Sequence, residues 1–511
     1  MKVFPRSILP ALLLACLLTP ALAQQFDLAS FEKRVTVKKL DNGLTLVVLV
    51  RPEAPVFSFY TIVDAGSAQD PQGETGLAHM FEHMAFKGTT GIGTTDWPAE
   101  KAALAKVEEA YAAYRAENFK PVGRDEQKVR QLEQAWKQAM AEAQKYVVKN
   151  QFDEIIESNG GRGVNAFTNW DETAYHYSLP ANRVELWAYL ESERFLHPVM
   201  REFYKERDVV MEERRMRTDS QPIGRLVEQF LGESFVTYPY HRPTIGYASD
   251  LHYFSATDAQ AFFDRYYVPA NMVVAVVGDV KPAEVVALAE KYFSRLPVRP
   301  QPPPVHTAEP PQNSERDVEL QETAQPFYLE GYHRPNYRDP DDAVYDAITD
   351  LMSEGRTSRL FRALVRDKKI AAEAEGFSGF PGSKYEHLFA FDAVPLPGHT
   401  PEEMRQAIHD EIDRLKTTDV TDEELKMVKT RAKANLIRGL GDNAGMAFQL
   451  ALYQLRYGDW RELFRSVDRI DKVTKEDIRR VANKTFEPTN RTLGIIQTVP
   501  GAANPGGEKE Q

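Results

Sequence analysis

The chain carries, at positions 76–88, the stretch Gly76-Leu77-Ala78-His79-Met80-Phe81-Glu82-His83-Met84-Ala85-Phe86-Lys87-Gly88. This pattern predicts one amphipathic helix that ends at Gly88. His79 and His83 are four positions apart, so their imidazoles leave the same helix face one turn apart, and Glu82 lies near that face as well. Two imidazoles so placed can share one divalent cation, and a nearby carboxylate can carry a proton.

The alternative is an ordinary helix that happens to carry two histidines and a glutamate. Apolar residues surround the polar trio, and burying three ionisable groups is costly unless a metal ion or a partner satisfies them. The order His-x-x-Glu-His is also one of the sequence patterns of zinc metalloproteases. We therefore predict a metal site on this helix. The pattern alone leaves Glu82 open as a fourth ligand or as a proton acceptor.

The length and charge of the chain narrow the possible classes of protein. Its 511 residues exceed one ordinary hydrophobic core, so two or more domains are expected. The formal net charge of -12 argues against nucleic acid as a partner and favours neutral or basic substrates. Beyond the N-terminal segment, no apolar run is long enough to span a membrane, so the mature chain is expected to have no transmembrane span.

The N-terminus has the order of a secretory signal peptide: Lys2 and Arg6, an apolar run over residues 8–18, then Ala21-Leu22-Ala23. We predict cleavage after Ala23, a signal peptide over 1–23, and export to the bacterial periplasm. A retained anchor is one alternative, although the run is short for a span. Lipoprotein anchoring through Cys16, the only cysteine, is another. Cleavage after Ala23 would leave no cysteine, so metal ligands would be nitrogen or oxygen donors.

The residues on either side of the histidine helix predict strands first and a helical insertion afterwards. Apolar, β-branched runs over 35–37, 44–50 and 57–63 indicate strands, with a hairpin turn signal at Asp41-Asn42-Gly43. Over about 98–150, apolar residues recur in steps of three and four on both sides of Pro121-Val122-Gly123. That pattern predicts a projecting helical hairpin of coiled-coil type; two ordinary surface helices are the alternative.

A repeat divides the chain into two similar halves. The stretch around Pro269 and Asn271 is echoed around Pro488 and Asn490, both 219 positions later. We predict two tandem copies of one α+β domain, over 24–296 and 316–499, joined by a proline-rich linker over 297–315 and followed by a disordered tail over 500–511. The counterpart of the histidine helix is expected near residues 343–352, where no histidine is present.

Three motifs in order resemble the insulinase/pitrilysin family of zinc peptidases. They are His79-x-x-Glu82-His83 with the following Met84 to Thr89, then Asn165-Ala166-Phe167-Thr168, then Glu206-Arg207-Asp208-Val209-Val210-Met211-Glu212-Glu213. The resemblance is to the short, two-domain branch that includes mitochondrial processing peptidase and bacterial relatives. It implies an α+β fold with two tandem homologous domains, each an antiparallel-rich sheet covered by helices, with the helical hairpin inserted in the first.

The same resemblance implies a zinc metalloendopeptidase with one Zn²⁺ per chain. Glu213 would be the third ligand, with Glu212 as its competitor; helical geometry turns the two about 100° apart. The fourth position stays open for water, as in catalytic zinc sites. The implied roles are metal ligands His79, His83 and Glu213, general base Glu82, and a supporting carboxylate, Glu206.

The resemblance also implies a peptide substrate and a partner chain. The strand Asn165-Ala166-Phe167 would be an edge along which an extended peptide adds as a further strand. Metal-free halves in the family often carry an arginine followed seven residues later by a tyrosine, but here Arg431 is followed by Arg438 and Arg438 by Gly445. A homologous metal-free subunit or a homodimer is therefore expected. A non-catalytic or partner-dependent scaffold subunit is the alternative function.

Overall fold

The computed structural model describes residues 28–499. The predicted signal peptide, Cys16 and the predicted tail lie outside these residues. No helix in the described part is both long enough and apolar enough to cross a membrane. The helices are α1 (Leu28–Glu32), α2 (Leu77–Met84), α3 (Trp97–Asn118), α4 (Glu126–Ala143), α5 (Gln151–Ser158), α6 (Val184–Leu196), α7 (Phe203–Arg214), α8 (Pro222–Ser234), α9 (Ala248–Tyr253), α10 (Ala256–Tyr266), α11 (Pro282–Tyr292), α12 (Asp342–Ser353), α13 (Pro401–Thr417), α14 (Asp422–Gly439), α15 (Asn443–Tyr457), α16 (Glu462–Asp471) and α17 (Lys475–Thr485).

Two sheets divide the strands between the halves of the chain. The strands are β1 (Val35–Lys39), β2 (Thr45–Val50), β3 (Val56–Val63), β4 (Arg162–Thr168), β5 (Thr173–Pro180), β6 (Met272–Gly278), β7 (Arg316–Glu322), β8 (Phe327–Arg334), β9 (Ala371–Phe380), β10 (His387–Pro395) and β11 (Arg491–Thr498). The first sheet has the order β1-β2-β6-β3-β5-β4 and the second β7-β11-β8-β10-β9. Each contains one parallel pair, β2 with β6 and β7 with β11, and is otherwise antiparallel. The predicted α+β fold with two tandem copies is confirmed.

The repeat has a local physical basis at the end of each copy. Helices α10 and α17 are equivalent, and both begin with a capping box, in which a Ser or Thr side chain accepts from a backbone N–H one turn later. After each helix, an asparagine ties the helix end to a neighbouring strand. Asn271 donates to the carbonyl of Tyr266 at 3.0 Å, and Asn490 donates to that of Thr485 at 2.9 Å.

The two halves exchange a helix, so that each sheet is covered partly by the other half. Helix α15 packs on β3 and β6 of the first sheet, where Leu450 and Ala447 are fully buried. Helix α8 packs on β7 and β11 of the second sheet, where Phe230 is fully buried. Neither sheet therefore buries both of its faces with residues of its own half.

The helical insertion is formed by α3 and α4, which pack against each other. The tip around Val122 is exposed, but one side of the hairpin lies against the first domain and does not project freely. Tyr111 of α3 is fully buried, and its hydroxyl donates to the carbonyl of His252 at 2.9 Å. Its ring and that of Trp136 both contact Tyr204 of α7. Tyr111 and Trp136 therefore contribute both to the contact between the two helices and to the face that docks on the first domain.

Candidate metal centre

Helix α2 is held at its first turn by Asp70, a buried residue that precedes it. The carboxylate of Asp70 accepts from the backbone N–H groups of Gly76 at 2.7 Å and Ala78 at 2.9 Å. Gly76 has φ +96°, in the left-handed region, and a Cβ there would lie 2.7 Å from the carbonyl oxygen of Ile245. Asp70 was not among the predicted site residues. It precedes the N-cap Gly76 by six positions, outside the positions at which capping residues are recognised from sequence.

The structure brings His79, His83 and Glu213 together from α2 and α7. One ligand atom from each of the three lies within 4.8 Å of the others. His79 Nε2 is 3.7 Å from Glu213 Oε1, and His83 Nε2 is 3.5 Å from Glu213 Oε2. Within residues 28–499 this is the one group of three His, Cys, Asp or Glu side chains with metal-binding spacing.

The alternative ligand, Glu212, points away from this group. Its carboxylate accepts from the guanidinium of Arg215 at 2.8 Å on the exposed side of α7. Glu213 instead faces the imidazoles, and its second neighbour is Arg217, whose Nη1 lies 2.6 Å from Glu213 Oε1. Arg217 was not singled out in the sequence, although its position four residues after Glu213 is ion-pair spacing on a helix.

Glu206 lies behind His83. Its Oε2 is 3.7 Å from His83 Nδ1, the nitrogen that does not face Glu213. Lys87 Nζ is 2.5 Å from Glu206 Oε1. Metal-binding histidines commonly have such a carboxylate on the second ring nitrogen, where it fixes the ring orientation. Lys87 was missed as a site residue, although it follows His83 by one helical turn in the quoted stretch.

Glu82 lies beside the three-residue group and is itself mostly buried. Thr168, at the end of β4, donates its hydroxyl to Glu82 Oε2 at 2.6 Å. Burial raises the pKa of the Glu82 carboxyl, and the Thr168 hydrogen bond opposes that rise. A carboxyl with a raised pKa is suited to accept and return a proton. Thr168 stood in the quoted Asn-Ala-Phe-Thr motif, but its contact with Glu82 was not predicted.

The pKa values of the three proposed ligands differ from their ordinary values. Burial lowers the pKa of His79 to about 4, so this imidazole is neutral, the form that binds metals. Burial also lowers the pKa of His83, but hydrogen bonds to Glu206 and Glu213 outweigh it and raise the pKa to about 9. The hydrogen bond with His83 lowers the pKa of Glu213. Two imidazole nitrogens and one ionised carboxylate are a donor set that fits Zn²⁺.

The predicted substrate strand lies at an edge of the first sheet. Residues 165–167 belong to β4, which pairs with β5 on one side only. Asn165 is exposed and Ala166 is buried, while the Phe167 ring contacts Phe448 from the other half of the chain. Helix α2 packs beside β4, so this edge leads directly to Glu82.

The second half has the equivalent helices but not the equivalent side chains. Helix α12 packs against β9 and α14 as α2 packs against β4 and α7. At the repeat spacing of 219, Glu206 corresponds to Leu425 and Glu213 to Ala432, and α12 contains no histidine. Among residues 28–499, the one group of three His, Cys, Asp or Glu side chains with metal-binding spacing lies in the first half.

Comparison with known families matches two parts of the chain. Residues 47–112, which include α2, match the family described as Insulinase (Peptidase family M16). Residues 253–432 match the description Peptidase M16 inactive domain. The second match begins before the second sheet and ends at Ala432, the position that corresponds to Glu213.

Individual proteins are similar over most of the chain. Zinc protease PqqE of Helicobacter pylori is 28% identical over 467 residues, which are 90% of this chain and 91% of that protein. Probable mitochondrial-processing peptidase subunit beta of Arabidopsis thaliana is 24% identical over 493 residues, 93% of this chain and 80% of that protein. The crystal structure of a protease from Helicobacter pylori has a TM-score of 0.75 at 26% identity and covers 91% of this chain and 99% of that one.

Proposed function

The chain belongs to the insulinase (M16) peptidase family, and from that premise we propose that it is an exported zinc metalloendopeptidase that hydrolyses peptides or unfolded polypeptide segments. The observation that carries the proposal is the meeting of His79 and His83 with Glu213, which is 134 positions from His79 in the chain. Two histidines that occurred on a helix by chance would not be expected to face a carboxylate from another helix.

The chain's own residues divide the work of peptide hydrolysis. His79, His83 and Glu213 would hold one Zn²⁺ per chain, and Glu206 would orient the His83 ring. When bound, zinc supplies a more acidic water and polarises the carbonyl that is attacked. Glu82 takes the proton from the attacking water and returns it to the leaving amine. The Thr168 hydroxyl holds Glu82 Oε2, so that the other oxygen is left for this proton transfer.

The substrate is proposed to bind as an extended peptide along β4. The unpaired side of Asn165, Ala166 and Phe167 would hydrogen-bond to the peptide backbone, and such pairing reads extended shape more than sequence. The edge position of β4 and its approach to Glu82 support this role. Folded proteins present few extended segments, so unfolded chains and peptides are the expected substrate class.

A partner chain is proposed from what this chain lacks. No arginine and tyrosine stand seven positions apart at 431–445, and Arg431 is held by Asp350 at 3.0 Å. A homologous metal-free subunit, or a second copy, would complete the substrate-binding site. A relative is named as the beta subunit of a processing peptidase, which supports a heteromer. The second candidate function, a partner-dependent or non-catalytic subunit, is favoured by the same missing pair.

Export is proposed from the first 23 residues, which lie outside the described part of the chain. Their order of basic residues, apolar run and Ala21-Leu22-Ala23 directs secretion, to the periplasm in a bacterium. Lipid anchoring through Cys16 remains the alternative. Mass determination of the mature N-terminus separates the two, because an N-terminus at Gln24 supports the soluble form.

The test of the main proposal is Glu82→Gln in the mature chain. We expect the parent to bind about one zinc per chain and to cleave an unstructured peptide. Glu82→Gln should keep the zinc and lose cleavage by about 10²- to 10⁴-fold, the usual contribution of a general base. For the ligand, Glu213→Ala should lose zinc whereas Glu212→Ala should retain it. Parent-like cleavage by Glu82→Gln would show the assignment of the base to be wrong.

A further inference from the structure

The turn that follows the ligand helix brings an arginine to the proposed metal site. Residues Arg215–Asp219 form a π-helical turn, a wider turn that is rare and often found at functional sites. Within it, Arg217 Nη1 lies 2.6 Å from Glu213 Oε1. The Arg217 side chain is 74% exposed, whereas that of Glu213 is 18% exposed. The arginine thus covers the ligand carboxylate from the solvent side.

The last residue of α7, from which this turn continues, is fastened beside the start of α2. The guanidinium of Arg214 donates to the carbonyl of Gly246 at 2.7 Å and to Glu228 at 2.8 Å. Gly246 itself lies against the helix start, since a Cβ there would be 2.3 Å from the carbonyl oxygen of Thr75. The position of Arg217 is therefore set relative to both helices that supply the proposed ligands.

The Glu213 carboxylate is held from three directions. Its Oε2 faces His83 Nε2 at 3.5 Å, and its Oε1 lies between His79 Nε2 at 3.7 Å and Arg217 Nη1 at 2.6 Å. A glutamate side chain has several rotatable bonds, and ordering them costs conformational entropy. A hydrogen bond that already selects the rotamer aimed at the imidazoles reduces that cost when a metal binds.

We propose that Arg217 is a positioning residue that presents Glu213 to the metal ion. The inference rests on the proposed function, in which Glu213 is a zinc ligand. It predicts that replacing Arg217 weakens zinc binding, which is opposite in sign to the effect of removing a nearby positive charge. Removing a cation from the neighbourhood of a metal site should by itself strengthen the binding of Zn²⁺, whereas losing the orientation of a ligand should weaken it.

The chain offers a matched control two residues earlier. Arg215 belongs to the same turn, is 60% exposed, and pairs with Glu212, which is 54% exposed. Its replacement removes the same charge and the same kind of surface ion pair. It does not touch Glu213.

The experiment compares Arg217→Gln, Arg217→Lys and Arg215→Gln in the full mature chain. Zinc affinity is measured by competition with a chromophoric chelator, and ligand geometry by the visible absorption of the Co²⁺-loaded protein. We expect Arg217→Gln to bind Zn²⁺ about 3- to 10-fold more weakly than the parent. Loss of a residue that orients a metal ligand usually weakens metal binding by about 10- to 100-fold, and the effect here should be smaller because the Arg217 side chain is largely exposed. Its Co²⁺ spectrum should shift, Arg217→Lys should recover part of the loss, and Arg215→Gln should bind like the parent or slightly tighter.

Two results would overturn the inference. One is an Arg217→Gln variant with parental zinc affinity and a parental Co²⁺ spectrum. The other is an equal loss of affinity in Arg215→Gln, which would assign the effect to the turn as a whole. A parent chain that binds no zinc would instead overturn the proposed function, and the inference with it, so the two failures are distinguishable.

Discussion

At the scale of single residues, two histidines of one helix differ in charge because their neighbours differ. His79 is buried and has a second histidine beside it, and both factors lower its pKa. His83 is also partly buried, but the carboxylates of Glu206 and Glu213 on its two ring nitrogens raise its pKa to about 9. In the metal-free protein at neutral pH, one imidazole is thus neutral and the other protonated.

Zinc binding is therefore expected to release a proton. Metal ligation requires a neutral imidazole, and the raised pKa keeps His83 protonated up to about pH 9. At pH 7, uptake of Zn²⁺ should release about one proton from His83, and affinity should rise about tenfold per pH unit until about pH 9. The number of protons released is measured by calorimetry of zinc binding in buffers of different ionisation enthalpy, with the zinc supplied from a chelate.

Glu206→Gln is the control for this proton release. It removes one of the two carboxylates that raise the pKa of His83, so fewer protons should be released at pH 8 than in the parent. Zinc uptake at pH 7 that releases no proton, together with an affinity independent of pH, would contradict the assignment of charge to His83.

At the scale of secondary structure, the proposed site depends on how α2 begins and how α7 ends. Asp70 supplies the acceptors for the first backbone N–H groups of α2, and the π-helical turn after α7 places Arg217 beside Glu213. The helical insertion docks on α7 through Tyr111 and Trp136. The helices that carry the proposed ligands are therefore fixed by side chains outside the sequence motifs.

We expect Asp70→Ala to lower the free energy of unfolding by about 2 kcal/mol, because it removes a helix cap and leaves buried N–H donors without an acceptor. It should also weaken zinc binding, because α2 loses its first-turn anchor. Chemical denaturation and the chelator competition measure the two effects. The control is Asp125→Ala, which removes the exposed N-cap of α4, a helix that carries no proposed ligand; Asp125 accepts from the backbone N–H groups of Gln127 and Lys128. Parental zinc affinity in Asp70→Ala would refute the link between this cap and the site.

At the scale of the whole molecule, the exchange of α8 and α15 joins the packing of the two halves. The linker adds to this, since the Glu309 carboxylate accepts from the backbone N–H groups of Val236 and Tyr238 at 2.7 and 2.9 Å. Ion pairs also cross between the halves, among them Lys384 with Asp64 and Arg456 with Glu172. The second half thus supports the half that carries the proposed site.

We expect Phe230→Ala to reduce the stability of both halves together. Phe230 is fully buried against the second sheet, and loss of a buried phenylalanine costs about 3–5 kcal/mol. Thermal or urea unfolding, followed by probes in each half, should give one transition at a lower midpoint. Val236→Ala nearby, at an exposed position, should change stability by less than about 0.5 kcal/mol. Separate transitions for the two halves would contradict the helix exchange.

The sequence by itself determined the features that depend on spacing: the histidine helix, the two helices of the insertion and the repeat at 219 positions. The edge position of residues 165–167 was instead implied by the family resemblance. Periodicity and turn residues act over a few positions, so they can be read without knowledge of distant contacts. Local spacing leaves the adjacent Glu212 and Glu213 equally able to bind a metal. The family resemblance implied Glu213, and the packing of α7 against α2 turns that residue toward the imidazoles. Packing likewise decided the roles of Asp70, Lys87, Thr168 and Arg217 and the exchange of α8 with α15. Each depends on elements that are distant in the chain, or on side-chain directions that spacing does not specify.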